Sequence, residues 1–129
     1  MREQLNKVDL FNKVFKIYEE TPKKPKLIPF EEAELRFELM KEENLEYLEA
    51  YLNNDLKEVA DALGDQLYIL CGTILKHGLQ DKIVEVFEEI HRSNISKLDV
   101  NGNPIFREDG KVLKGEGYFK PDIKTILKR

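Results

Sequence analysis

The sequence predicts an all-α protein, an antiparallel helical bundle followed by a tail of different character. Apolar residues recur at helical spacing through residues 1–96, prolines and capping residues punctuate that pattern, and the strong turn dipeptides fall only after residue 97. The first helix carries Val8, Phe11, Val14, Phe15 and Tyr18 on one stripe and must end before Pro22. TPKKPKLIP, residues 21–29, holds three prolines and reads as an extended connector. A second helix is expected from near Glu31 to about Asn53, with acids in its first turn where the helix dipole favours them. After the turn Asn53-Asn54-Asp55, Asn54 or Asp55 caps a third helix that runs to about His77 and stops at Gly78. So short a link predicts antiparallel packing of the second and third helices. A fourth helix is expected from near Asp81 to around Ser96, with Ile83, Phe87 and Ile90 on one face. The tail, residues 97–129, is expected to be irregular or hairpin-like. Its turn signals are Asn101-Gly102 and Asp109-Gly110, with Phe106-Arg107 and Lys111-Val112 placed to flank a small β-hairpin.

A length of 129 residues suits one domain, residues 1–129, with one core. Charged residues at 36% beside hydrophobic ones at 41% describe a folded globular chain rather than a disordered one. The net charge of −4 excludes a general nucleic-acid binder, which needs a basic surface to displace counterions. A phosphate-bearing ligand would need cations or a local basic cluster. Cys71 is the only cysteine, so no intrachain disulfide forms, and a reduced buried thiol fits the cytoplasm. No segment nears the roughly 20 apolar residues that span a bilayer, and MREQLNKVDLFNKVF has no signal-peptide core, so no membrane partner is expected.

The informative feature is where the acids fall. At about 100° per residue, Leu35, Leu39, Glu43, Glu46 and Ala50 share one side of the second helix, with Glu42 at the sector's edge. The third helix is nearly all small and apolar from Val59 to Leu75 and is expected to be largely buried. Yet Glu58, Asp61 and Asp65 lie on one narrow stripe of it, with Gly72 on the same line. Carboxylates crowded on apolar faces lose hydration and repel one another, and cations resolve that conflict. Oxygen ligands without clustered His or Cys favour Mg²⁺, with Mn²⁺ as the alternative, over zinc. A lone Glu-x-x-Glu is most often an ordinary solvated helix face. Two acid pairs on adjacent helices, both inside apolar sectors, are a stronger signal.

EENLE followed by EVADALGDQLYIL resembles the Glu-x-x-Glu and Glu-x-x-Asp motifs of the MazG-like all-α nucleotide pyrophosphohydrolases. HRSNISKL and NPIFREDGKVLKGEGYFKPDI resemble the phosphoribosyl-ATP pyrophosphohydrolase-like branch, so the likeness covers roughly residues 30–126. The resemblance implies Mg²⁺ held by Glu43, Glu46, Glu58 and Asp61. It implies cleavage between the α- and β-phosphates of a nucleoside triphosphate, giving a monophosphate and pyrophosphate. It also implies a homodimer or homotetramer, which suits a third helix with much apolar surface.

With that chemistry, Glu43 is the first candidate for orienting or deprotonating the attacking water and Glu42 the second. Asn94, on the line of Ile83, Phe87 and Ile90, is a candidate to read base or sugar, against a helix-ending hydrogen bond as the plainer role. Lys97, Arg107, Lys111 and Lys114 together could answer a triphosphate's charge, although any one alone reads as solvated. His77 and His91 have no ligand partner in sequence, and Tyr68 and Tyr118 read as packing aromatics. The pathway of the phosphoribosyl-ATP enzymes does not transfer, because the Gly- and Lys-rich tail resembles a separate branch. Nucleotide-pool cleaning of dUTP or another noncanonical triphosphate is an equal expectation. The competing class is a non-catalytic helical oligomer that binds a nucleotide or a protein and uses the acids as ion pairs. A Ca²⁺-binding EF-hand is disfavoured because the acids lie on helices rather than in an Asp-rich loop.

Overall fold

The computed structural model describes residues 1–129 and is all-α, with five helices and one isolated antiparallel bridge. Met1–Asp81 form one compact unit and Lys82–Arg129 a second.

In the first unit, α1 (Arg2–Val14), α2 (Phe30–Leu52) and α3 (Leu56–Lys76) pack with α3 against both of the others. The bounds of α2 and α3 lie within two residues of those read from the sequence, because their ends have strong local causes. The Asp55 side chain caps α3 by accepting from the Glu58 N–H at 3.1 Å. At the other end the Gly78 N–H donates to the Leu75 carbonyl and the Leu79 N–H to that of Ile74, the double bond of a Schellman cap. Gly78 supplies the required positive φ of 67°, and a Cβ there would stand 2.2 Å from the Lys24 carbonyl oxygen. The proline-rich connector is thus held against the end of α3. The Lys26 N–H donates to the His77 carbonyl, and the His77 ring nitrogen lies 2.8 Å from the Lys26 carbonyl.

The core of this unit is Leu5, Val8, Ala50, Ala62, Cys71, Ile74 and Leu75. Burial of α3 is confined to part of its length, contrary to expectation. Cys71, Gly72, Ile74 and Leu75 are buried, whereas Leu56, Leu63, Leu67 and Leu70 are exposed. The apolar stripe of α1 is also split, with Val8 buried and Val14 and Phe15 exposed.

In the second unit, α4 (Ile83–Ile95) starts two residues later than the sequence suggested and keeps Phe87 and Ile90 exposed. The hairpin reduces to one bridge, Phe106 with Val112, closed at Gly110 with φ 90°. The tail, expected to be irregular or hairpin-like, also contains a helix, α5 (Ile123–Lys128). Its cap is Asp122, which accepts from both the Thr125 N–H and hydroxyl. The tail meets α4 through Ser93, whose hydroxyl donates to the Phe119 carbonyl at 2.8 Å, and through Arg92 over the Phe119 ring.

Candidate metal and catalytic site

Antiparallel α2 and α3 bring their acids face to face. Carboxylate oxygens of Glu43, Glu46 and Asp65 lie within 4.8 Å of one another. Glu46, Glu58 and Asp61 line one open cleft of about 370 Å³ together with Glu49 and Asn53. Glu46 belongs to both groups, so the four acids Glu43, Glu46, Glu58 and Asp61 run along one α2–α3 groove, joined by Asp65. The capping bond to Asp55 fixes the first turn of α3 and with it the position of Glu58. Beside the trio, Gln66 donates to the Asn44 side-chain oxygen at 3.2 Å, a polar cross-link between the two helices.

The electrostatics are those of a site short of positive charge. Six ion pairs occur in the protein, and none involves Glu43, Glu46, Glu58, Asp61 or Asp65. Glu43 is pushed up to about 7, first by burial and then by the adjacent Glu46 carboxylate, with Asp65 and Glu42 adding repulsion. Asp65 is raised as well, by burial and then by the charges of Asp61 and Glu46. The Oε2 atom of Glu43 is buried without a hydrogen-bond partner, a costly state for a carboxylate oxygen. Three converging oxygens, an orphaned acceptor and no Lys or Arg in reach fit a hard, oxygen-loving divalent cation.

Glu42 is exposed and acts on Glu43 through its charge. Asp65 is the residue that the motif-based ligand set omitted. Its signal was its place on the Glu58–Asp61 stripe, one turn beyond the recognised pair. The expected ligand-contacting residues of the tail lie in the second unit. Asn94 is exposed near the end of α4, and its backbone carbonyl accepts from the Lys97 N–H. Arg107 forks onto the Asp109 carboxylate, Lys111 is exposed, and the Lys114 ammonium sits 4.9 Å over the Tyr118 ring.

Another residue that escaped the sequence reading is Arg36. Its Nε donates to the Thr73 hydroxyl at 2.9 Å and its Nη2 to the Ile69 carbonyl at 2.8 Å. Gly72 makes room for it, since a Cβ there would lie 2.6 Å from Nη2. The glycine on the acid line of α3 therefore serves the packing of an arginine across the groove.

No helix is long and apolar enough to cross a membrane. Comparison with known proteins gives three findings. The phosphoribosyl-ATP pyrophosphohydrolase family model matches residues 8–94. An uncharacterized protein of Acanthamoeba polyphaga mimivirus is 31% identical over 121 residues, covering 90% of this chain, which spans only 41% of that protein's length. The crystal structure of a candidate NTP pyrophosphohydrolase from Exiguobacterium sp. 255-15 superposes with a TM-score of 0.52 at 24% identity, covering 98% of this chain and 94% of that one. The last likeness speaks to fold, whereas the family match spans all of α2 and α3 and so includes the five acids. The chain belongs to the phosphoribosyl-ATP pyrophosphohydrolase family, within the MazG-like all-α nucleotide pyrophosphohydrolases.

Proposed function

We propose that residues 1–129 act as one pyrophosphohydrolase domain. It cleaves a nucleoside triphosphate between its α- and β-phosphates with Mg²⁺ or Mn²⁺, giving a monophosphate and pyrophosphate. The observation that carries this reading is the trio Glu43, Glu46 and Asp65, whose oxygens converge without any positive partner inside a family-matched helix pair. With Glu58 and Asp61 they would hold the metal, which when bound neutralises phosphate charge and acidifies water. Glu43 is the first candidate to orient or deprotonate the attacking water, because it adjoins the acids that would hold the metal. The water oxygen bonds to the α-phosphorus, the bridging oxygen leaves with pyrophosphate, and the water's proton passes to Glu43. Glu42 is the second candidate for that role. Asn94, Lys97, Arg107, Lys111 and Lys114, all in the second unit, are the candidates for contact with the nucleotide.

The exposed leucines of α2 and α3 support assembly as a homodimer or homotetramer. The free, buried Cys71 suits a reducing compartment such as the cytoplasm. The family match also favours a second reading, in which phosphoribosyl-ATP is the substrate and nucleotide-pool cleaning is not the role. One panel decides between them: ordinary, deoxy and noncanonical triphosphates and phosphoribosyl-ATP, each with Mg²⁺ or Mn²⁺, followed by release of pyrophosphate. Turnover of noncanonical or deoxy triphosphates alone supports pool cleaning, and turnover of phosphoribosyl-ATP alone supports the second reading. Hydrolysis of none of them defeats both.

A further inference from the structure

The groove acids repel one another, so something must hold α2 and α3 in the register that brings their oxygens together. Apolar packing does this only in part, because Leu45 and Leu48 of α2 and Leu63 and Leu67 of α3 are exposed. On one side of the trio, Ala50 and Ala62 are buried in the cleft that holds Glu58 and Asp61. On the other side stands Arg36, seven residues before Glu43 and therefore on the same face of α2, about 10 Å away along the axis. Its partners Ile69 and Thr73 follow Asp65 on α3 by four and eight residues.

Side-chain hydrogen bonds tie α2 to α3 at three places, and they are unequal. The Asn44–Gln66 bond is exposed, where water competes for both amides. The Lys76 ammonium is a point donor on a flexible stem, and the side chain of its partner Glu32 is 43% exposed. Arg36 instead places one planar, half-buried guanidinium on two acceptors, the Thr73 hydroxyl and the Ile69 carbonyl. Two bonds from a rigid group set the rotation of the helices as well as their spacing. Thr73 donates its own hydroxyl proton to the Ile69 carbonyl at 3.0 Å, which leaves its oxygen to accept from Arg36. None of the six ion pairs includes Arg36, and burial holds its pKa down. A half-buried cation without an acid is a costly way to fill space that an aliphatic side chain would fill more cheaply.

Resting on the metal-dependent pyrophosphohydrolase reading above, we propose that Arg36, seated over Gly72 on Thr73 and Ile69, is a positioning residue that sets the register of α2 on α3 and thereby the convergence of Glu43, Glu46 and Asp65. It acts through those acids rather than on the metal or the substrate. A misplacement of about 1 Å far from the chemistry can cost about 10²-fold in rate, so a tie two turns away is close enough to matter.

The test sets Arg36→Met beside Thr73→Val, Thr73→Ser and Gly78→Ala. Calorimetry gives the Mg²⁺ affinity, steady-state assays at saturating Mg²⁺ give kcat and KM for a triphosphate that the wild type hydrolyses, and melts give stability. Arg36→Met keeps the aliphatic stem and loses both bonds. It should lower Mg²⁺ affinity and kcat by about tenfold or more, the range for groups that orient metal ligands, with KM within about twofold. Thr73→Val removes the acceptor for Nε and should show about a three- to tenfold loss of the same kind, the worth of one hydrogen bond. Thr73→Ser restores the hydroxyl and should recover both values. Gly78→Ala should melt earlier with Mg²⁺ affinity unmoved, which separates register from stability. Arg36→Met and Thr73→Val proteins that melt earlier but keep wild-type Mg²⁺ affinity and kcat make Arg36 purely structural and overturn the proposal. A raised KM with Mg²⁺ affinity and kcat unchanged also overturns it, by placing Arg36 on the nucleotide. Should Arg36→Met not fold, the two Thr73 variants decide, and a Thr73→Ser as impaired as Thr73→Val overturns the proposal. If the wild type hydrolyses no triphosphate, Mg²⁺ and Mn²⁺ affinities across the same variants judge the register alone. If it binds neither ion, the functional reading fails and this proposal with it.

Discussion

Carboxylates in this protein live in two opposite environments. In the second unit, Glu89 accepts from Arg92 and from the Asp122 N–H, Asp109 takes the Arg107 fork, and Asp122 caps α5. These hydrogen bonds and charges hold all three carboxyls below their ordinary range. In the α2–α3 groove the same residue types are raised, because burial and neighbouring acids act on Glu43 and Asp65 with no cation to offset them. The first group is complete within the chain. The second leaves a charge deficit that the fold tolerates and that a metal ion would remove.

The largest expected effect follows from removing that deficit. Glu46→Gln or Glu43→Gln should lower pyrophosphate release by about 10²–10⁴-fold, the range for a lost catalytic acid–base or metal-positioning group. The metal-free variants should nonetheless melt at or above the wild-type temperature, since repulsion has been relieved. Glu89→Gln, in the compensated set, should do the reverse, keeping turnover within about twofold while lowering the melting temperature. Steady-state assays beside thermal melts read both arms. A Glu46→Gln protein that loses stability and keeps activity would dissolve the distinction between the two groups.

The pH response sharpens the contrast further. Glu43 is raised to about 7 from an ordinary value near 4.5, so the native metal-free protein holds its proton more tightly than the unfolded chain. Its contribution to stability is therefore present below about 4.5 and is lost as pH rises through 7. Metal binding needs the carboxylate deprotonated and runs the other way. Calorimetry should show Mg²⁺ affinity climbing by up to about tenfold per pH unit until about 7 and levelling above it. Glu43→Gln should flatten the stability change and the affinity change together. The compensated acids are shifted the opposite way, below their ordinary range.

These differences explain which parts of the molecule sequence alone could convey. The ends of α3 were legible because Asp55 and Gly78 act locally, through one side-chain acceptor and one positive φ. The acid stripe was legible because helical period fixes which side chains share a face. Asp65 was visible on that stripe, but a motif of paired residues does not say which third oxygen the facing helix will meet. The exposure of Leu56, Leu63 and Leu67 could not be read, because periodicity identifies an apolar face and says nothing about what covers it. The cap of α5 was present as Asp122 followed by Thr125, on an element too short to show a period. Arg36 escaped because its partners, Thr73 and Ile69, lie on another helix.

Gly78 offers a smaller, purely structural counterpart to the acid variants. Ala in its place would carry a Cβ at φ 67° and within 2.2 Å of the Lys24 carbonyl. Gly78→Ala should therefore cost about 1–3 kcal/mol in denaturant unfolding. With saturating Mg²⁺ its kcat should stay within about twofold of wild type, because the cap lies at the far end of α3 from Glu58. A larger loss of turnover would mean that the connector held by Gly78 also shapes the site.

Salt should produce the smallest effect and the most direct contrast in sign. The Arg129–Glu85 pair is 2.9 Å long with both side chains about half exposed, so Arg129→Ala should shift the melting temperature by less than about 2 °C at low salt. At 1 M NaCl, where screening acts over roughly 3 Å, even that difference should vanish. The same salt weakens repulsion among Glu43, Glu46 and Asp65, so the metal-free wild type should gain stability as NaCl rises. Glu43→Gln should gain less, since one of the three charges is already absent. Melts of the three proteins across a NaCl series, with chelator present, separate the contributions, because attraction and repulsion respond to screening in opposite directions. An identical salt response in wild type and Glu43→Gln would mean that the groove acids are already neutralised in solution, by protons or by a residual cation that the chelator fails to remove.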